Sequence, residues 1–416
     1  MAQQGRSATF DPKARTVVVI AGAAARGPYE AAALAQVLPA LFENDLSNVV
    51  LLGTSAGGIN AALWATELVR DAKTADVGAR VKAVWAEITQ RNVFVTSSAV
   101  FALGRLLTRG VVSFFVSCGC DLLATYGLLT TGPLQTTAQN AFDAEALKRN
   151  VDEGRLLGVG AVATSCPNDS SGGRSRVFLY GQRALYEAKG LSKPPEGNSI
   201  DYVLLSAGLK LEHVLASAAI PVAFPPVQVH EPADYAGWYT DGGVRLNTPI
   251  RPALDMEASQ LVVISSFATC YPTHDNSDST QPNIFDVGGQ AIHTVLGDGT
   301  IEDLRSLQRI NHLVEQSQRA NLVLTSDDGR PYRIVKFFTI SPDNGTISKI
   351  ADDEIRNARS AGLDYRMLSA VLQSAGVPHN ELASYLLFFP QYAQRLFEQA
   401  DRDVAMKGSL VDAFTI

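Results

Sequence analysis

The chain has 416 residues, 46% of them hydrophobic and 19% charged, with a formal net charge of −7. That length allows one large α/β core with additions, or two domains, and the acidic balance without Lys/Arg clusters argues against a nucleic-acid surface. Four cysteines do not make a disulfide scaffold, and Cys118-x-Cys120 with isolated Cys166 and Cys270 lacks the companions of a zinc site, which fits free thiols in a reducing compartment.

Residues 1–14 carry no periodic pattern and read as a loose tail. Val17-Val18-Val19-Ile20 is expected to be a buried strand running into the loop Ala21-Gly22-Ala23-Ala24-Ala25-Arg26-Gly27. The apolar stretch 16–25 is therefore read as strand and loop rather than as a secretory leader. A dinucleotide or phosphate loop fails on detail, because the middle glycine of Gly-x-Gly-x-x-Gly and a terminal Gly-Lys-Ser/Thr are both missing.

A second apolar run, 48–52, enters Gly53-Thr54-Ser55-Ala56-Gly57, and a small-residue helical pattern follows over 58–64. Strand, Gly-x-Ser-x-Gly and helix in that order form a nucleophile elbow. It would hold the Ser55 hydroxyl at a helix N-terminus, where backbone N–H groups favour developing negative charge. Gly53 and Gly57 flank the turn because a Cβ there would collide with the adjoining strand and helix.

Residues of about 80–140 read as a helical, lid-like insertion. Within it, 97–107 and 111–129 are apolar, but Asp121 and two glycines interrupt the second run, leaving it too short to span a bilayer. Residues 156–164 and 176–180 read as a hairpin around a polar loop. An Ala- and Pro-rich block, 216–227, precedes Asp241-Gly242-Gly243, and 261–265 reads as another buried strand. Further on come a polar loop at 269–282 and apolar residues at helical spacing within 284–320. A strand at 332–340 and helices near 352–361, 364–374 and 384–400 complete the chain. This divides it into an α/β domain at 15–268 and a mainly helical extension at 269–416 packed on that core.

A serine hydroxyl needs a base. His213, His230, His274, His293, His312 and His379 are available, none in a telling context. Asp241 competes with them. Asp-Gly-Gly is ordinarily a turn signature, but here it sits between the Ala/Pro block and a buried strand.

These stretches together resemble the bacterial patatin-like phospholipases. The shared features are the elbow around Ser55, the later Asp241-Gly242-Gly243, the early loop ending in Arg26-Gly27, and the Ala-rich block closing on Phe224-Pro225-Pro226. The resemblance covers roughly 16–268 and, more loosely, Tyr385-Leu386-Leu387-Phe388-Phe389. It implies a three-layer α/β/α fold with a central, mostly parallel sheet and the helical C-terminal extension. It further implies a serine acyl hydrolase of phospholipase A or lysophospholipase type, acting on glycerophospholipids or other lipid esters through an acyl-enzyme.

In that reading Ser55 is the nucleophile, and Asp241 is its base, partly desolvated so that it is basic enough. N–H groups around Gly22, Ala23 and Ala24, with Ala56, form the oxyanion hole. Arg26, Gly27, Gly53, Gly57, Gly242 and Gly243 support the motifs, and Arg26 is expected to be a structural clamp rather than a phosphate attractor. No metal or cofactor is expected, and the protein is placed in the cytoplasm with peripheral membrane contact, aided by Arg105 and Arg109. One departure stands out: the family loop is glycine-rich, whereas alanines occupy 23, 24 and 25 here. Positive φ at any of them would cost roughly 1 kcal/mol or more. Two other readings stay open: a carboxylesterase or lipase on neutral esters with a Ser-His-Asp triad, and a catalytically weak lipid-binding protein.

Overall fold

Buried aliphatic strands build the centre of the molecule, seen in a computed structural model that describes residues 7–69, 72–89, 93, 95–96, 129–130, 132–167, 172–192, 199–221, 223–271, 293–326, 329–357 and 381–416. The strands are β1 (Ser7–Ala8), β2 (Thr16–Ile20), β3 (Leu46–Thr54), β4 (Val95–Thr96), β5 (Leu129–Thr130), β6 (Leu156–Ser165) and β7 (Ser175–Gly181), followed by β8 (Ile200–Leu204), β9 (Val227–Val229), β10 (Gly237–Asp241), β11 (Gln260–Ile264), β12 (Lys336–Ile340) and β13 (Phe414–Thr415). β4 and β5 pair with each other, and the rest form one sheet of eleven strands. β12, β11, β2, β3 and β6 run parallel at its centre. Antiparallel pairs occupy the flanks, including the expected hairpin β6–β7.

The main helices are α1 (Gly27–Phe42), α2 (Ala56–Glu67), α3 (Thr74–Glu87), α4 (Gly132–Ala141), α5 (Ala144–Asp152) and α6 (Leu211–Ser217), then α7 (Gly243–Leu246), α8 (Ile250–Asp255), α9 (Gly299–Arg319), α10 (Thr346–Asn357), α11 (Glu381–Ser384) and α12 (Pro390–Ala405). Period-two alternation sorts the strand side chains between two helical layers. Val18, Ile20, Val49 and Leu51 pack with residues of α1, α2 and α12. Val17, Val19, Val50 and Leu52 pack with residues of α8 and α9. Both faces of the parallel strands are thereby covered, giving the three-layer α/β/α architecture.

One expectation is corrected. Part of the loose tail is anchored: Ser7 and Ala8 pair with Thr415 and Phe414, and Phe10 sits between the rings of Phe42 and Phe414. The region after 268 also reaches into the main sheet: β12 lies parallel to β11, and α12 packs on α1, where the Tyr29 hydroxyl donates to Asp403 at 2.7 Å. In both places the partner is distant in sequence, so local pattern is silent about it. The helix expected over 384–400 is divided, because Phe389, preceding Pro390, is extended (φ −133°, ψ 141°). The cap stretches 97–107 and 111–128, the helix near 364–374, Arg105 and Arg109 lie outside the described residues. Among the described residues no helix is long and apolar enough to cross a membrane.

α1 carries Glu30, fully buried with neither carboxyl oxygen in a well-formed hydrogen bond. Burial pushes its pKa well above the carboxylate range, against the opposing pull of the Ser266 backbone, the Asn60 amide and the Arg26 charge. The folded state thus holds this proton more tightly than the unfolded chain does. Its contribution to stability therefore falls as pH rises above about 4.5, by up to about 1.4 kcal/mol per pH unit. Glu30→Gln, which mimics the protonated side chain, is expected to flatten that fall and raise the urea midpoint at pH 8. Unchanged pH dependence in equilibrium unfolding would show that Glu30 is ionised in the native state.

Candidate active site

β3 ends at Thr54, and Ser55 turns the chain into α2 with φ 55° and ψ −125°, a left-handed conformation that strains a residue bearing a Cβ. Its N–H donates to Ser217 Oγ at 2.9 Å, which pins the turn to the buried end of α6. The flanking glycines are sterically required. A Cβ on Gly53 would lie 2.1 Å from the Gly57 carbonyl oxygen, and one on Gly57 would lie 2.4 Å from those of Ile20 and Ala21.

The register of β6 brings the second residue to the first. β7 covers one edge of β6 from Gly158 to Thr164, so β3 and β10 share the other edge. β3 runs parallel to β6 and ends with Thr54 beside Val162, while β10 runs antiparallel and ends with Asp241 beside Ala163. The two strands meet head to head, β3 ending just before Ser55 and β10 at Asp241. A Cβ on Gly242 would lie 2.3 Å from the Val162 carbonyl oxygen, so glycine lets the turn after Asp241 lie against β6.

Asp241 is buried, and its Oδ1 accepts the Gly243 N–H at 2.6 Å. The Ser55 hydroxyl interacts with the carboxyl, but short of well-formed hydrogen-bond geometry, so Oδ2 remains buried without a full partner. Burial raises the Asp241 pKa to about 6, while Ser55 and the Gly243 N–H pull against the rise. The group is thus a far better base than a solvated aspartate, yet ionised at neutral pH.

No described histidine hydrogen-bonds Ser55. His213 is buried on the Phe178 ring and bonded to the backbone of Lys210 and Glu231. His230 pairs with Glu212, His312 with Gln316, and His293 packs edge-on against Phe267. His274 and His379 lie outside the described residues.

The early loop corrects one expectation. The Gly22 N–H donates to the Asn247 carbonyl at 3.0 Å and is not free to hold an oxyanion. Gly22 is required for space instead, since a Cβ would lie 2.3 Å from Asn247 Oδ1 and 3.2 Å from Ser55 Cβ. The N–H groups of Ala23, Ala24 and Ala56 have no acceptor among the described residues. Ala24 has φ 48°, the strained conformation that the alanines put at issue.

Arg26 is buried and turned away from the cavity as a clamp. Its Nη2 donates to Glu381 Oε1 and Ser384 Oγ, both at 2.6 Å, and its Nε to Ser384 Oγ at 3.0 Å. The guanidinium lies 4.1 Å from the Tyr385 ring centroid and 5.1 Å from that of Phe267. Gly27 admits the Trp85 indole, which a Cβ would meet at 2.4 Å.

Sequence reasoning missed four contributors. Ser217 holds the elbow N–H, Asn247 joins Gly22 to Leu296 through its amide at 3.2 and 2.9 Å, and Glu381 and Ser384 hold Arg26. Asn247 lay soon after Asp-Gly-Gly and Ser217 inside the Ala/Pro block, close enough to the motifs to be noticed.

Ser55 and Asp241 open on a cavity of about 610 Å³ with mostly apolar walls, among them Phe224, Leu296 and Phe388, and with half-exposed Val244 and Val295 also among its lining residues. A smaller space of about 70 Å³ continues past Ser55 between Leu63, Trp85, Phe142 and Val214. The arrangement places a hydroxyl beside a buried carboxyl, with unengaged N–H groups near it, facing an apolar chamber.

The family model described as Patatin-like phospholipase matches residues 18–254. Among solved structures, the crystal structure of VipD from Legionella pneumophila is similar at 12% identity and a TM-score of 0.31, over 96% of this chain and 69% of that one. No curated protein matches the sequence.

Proposed function

The chain belongs to the patatin-like phospholipase family, a family of lipid acyl hydrolases, and on that premise we propose that it cleaves fatty-acyl esters of glycerophospholipids through a Ser55–Asp241 dyad. The head-to-head ending of β3 and β10 on one edge of β6 carries this reading. Ser55 Oγ attacks the ester carbonyl while Asp241 takes its proton, and the N–H groups of Ala23, Ala24 and Ala56 receive the oxyanion. Collapse of the tetrahedral intermediate forms the acyl-enzyme and expels the lysolipid alcohol, which recovers the proton from Asp241. Water, deprotonated by the same carboxylate, then attacks the acyl carbon, and collapse breaks the bond to Ser55 Oγ, releasing the fatty acid while Asp241 returns the proton to Oγ. The apolar walls of the 610 Å³ cavity suit an acyl chain and exclude bulk water from the dyad.

Release of fatty acid from mixed phospholipid vesicles, beside hydrolysis of nitrophenyl butyrate, tests the assignment. Wild type is expected to turn over both and Ser55→Ala neither. With Asp241 as base and its pKa at about 6, kcat/KM should rise about tenfold per pH unit up to that value and level off above it. An acid limb unaltered by Asp241→Asn would assign the base to a histidine, and vesicle binding without turnover would leave a lipid-binding role.

A further inference from the structure

Residues 381–389 are remote from the elbow in sequence yet frame it. Tyr385, Leu386 and Phe388 line the cavity. The Tyr385 carbonyl accepts the Ala25 N–H at 3.2 Å, and Arg26 is held by Glu381 and Ser384. These contacts converge on one short turn, Ala24–Arg26, which opens with Ala24 at φ 48°. A residue with a Cβ disfavours that conformation. Left alone, the turn would relax, and the unengaged N–H groups of Ala23 and Ala24 would lose their setting beside Ser55.

We propose that Glu381–Ser384, with the Tyr385 carbonyl, is a brace that holds this strained turn in place, making Arg26, Glu381 and Ser384 positioning residues for acyl transfer. The chemistry rests on the function proposed above. The geometry of the brace favours orientation over bulk stability. A buried ion pair adds little net stability after desolvation, but it fixes direction when its remaining polar atoms are satisfied. Here the Arg26 side chain is 3% exposed and that of Glu381 23%. Burial would raise the Glu381 pKa, yet Arg26 and the Ser348 hydroxyl hold it below the usual carboxylate range. Ser348 belongs to α10, so the brace is tied in turn to the layer that covers the sheet. On this view the alanines at 23 and 24 do not replace glycine freely; they depend on a segment from the far end of the chain.

The test is a double-mutant cycle read by nitrophenyl butyrate hydrolysis. Glu381→Gln, which keeps an oxygen facing Arg26 and removes the charge, is expected to lower kcat roughly tenfold with KM changed less than about twofold. Adding Ala24→Gly should recover about threefold or more of that loss, because glycine adopts φ 48° without strain. Ser384→Ala, removing two bonds to Arg26, should show the same rescue. A merely structural defect lowers activity alike in both backgrounds, and that result, or wild-type kcat in Glu381→Gln, overturns the brace. Amide exchange at Ala25, read in the folded proteins, decides independently of catalysis: faster exchange in Glu381→Gln is expected, and unchanged exchange overturns the proposal. If wild type fails to hydrolyse any ester, the proposed function falls, while the exchange result still rules on the brace.

Discussion

Asp241→Asn is expected to lower kcat by about 10³-fold or more while making the protein more stable. The two effects share one cause. Burial raises the Asp241 pKa from 3.8 to about 6 in the folded state, so at pH 8 the native protein carries a charge that the unfolded chain would solvate better. Two pKa units correspond to a cost on the order of 3 kcal/mol above pH 6. The cost shrinks as pH falls through the folded pKa and vanishes below about pH 4, where both states are protonated. Asparagine keeps the acceptor that Gly243 N–H uses and carries no charge. Urea unfolding at pH 8 should therefore show a gain of about 1 to 3 kcal/mol for the variant, disappearing at pH 4. Equal stability of the two proteins at pH 8 would mean that the carboxylate is well solvated, and would remove the argument for its basicity. Ser55→Ala, by contrast, should abolish turnover without relieving this cost, since it leaves the Asp241 carboxylate in place and removes a hydroxyl that pulls its pKa down.

The second large effect is predicted at the elbow. Gly53→Ala places a Cβ 2.1 Å from the Gly57 carbonyl oxygen and 2.4 Å from the Gly58 nitrogen, both backbone atoms of α2. No side chain can swing away to relieve that overlap. Either β3 or the start of α2 must shift, at an expected cost of roughly 3 kcal/mol or more, with loss of turnover. Gly58→Ala is the internal control. Its Cβ would meet the Ser217 hydroxyl at 3.0 Å and the Gly53 carbonyl at 3.4 Å, so a small adjustment suffices and the destabilisation should stay below about 1 kcal/mol. Comparable unfolding midpoints for the two variants would show that the turn yields, and that glycine at 53 is a matter of history rather than sterics.

Local pattern in the chain was enough to name the class of fold and a candidate nucleophile. Val17 to Ile20, 48–52 and 261–265 are aliphatic runs long enough for strands and too short for helices, and their burial on both faces is what parallel strands between helical layers demand. The elbow was legible because all its constraints are local: a strand, a turn that only glycine can flank and a helix follow within a dozen or so residues. Asp241 was legible through its setting between the Ala/Pro block and a buried strand and through the family resemblance, since Asp-Gly-Gly alone is a turn.

What joins Asp241 to Ser55 is the edge of β6, and a strand's register with distant partners has no signature in either partner's own sequence. The same holds for the Asn247 carbonyl that occupies the Gly22 N–H, for Phe10 lodged against Phe414, and for Glu381 beneath Arg26. Each is a pairing of a short, ordinary segment with another far along the chain. Spacing and periodicity report what neighbouring residues require of one another, whereas which backbone groups are left free and which charges are buried together depends on how the layers close. For that reason the catalytic candidates could be named from the sequence, whereas which alanine takes positive φ, which residues hold Arg26 and what buries Asp241 follow from the packing of distant segments.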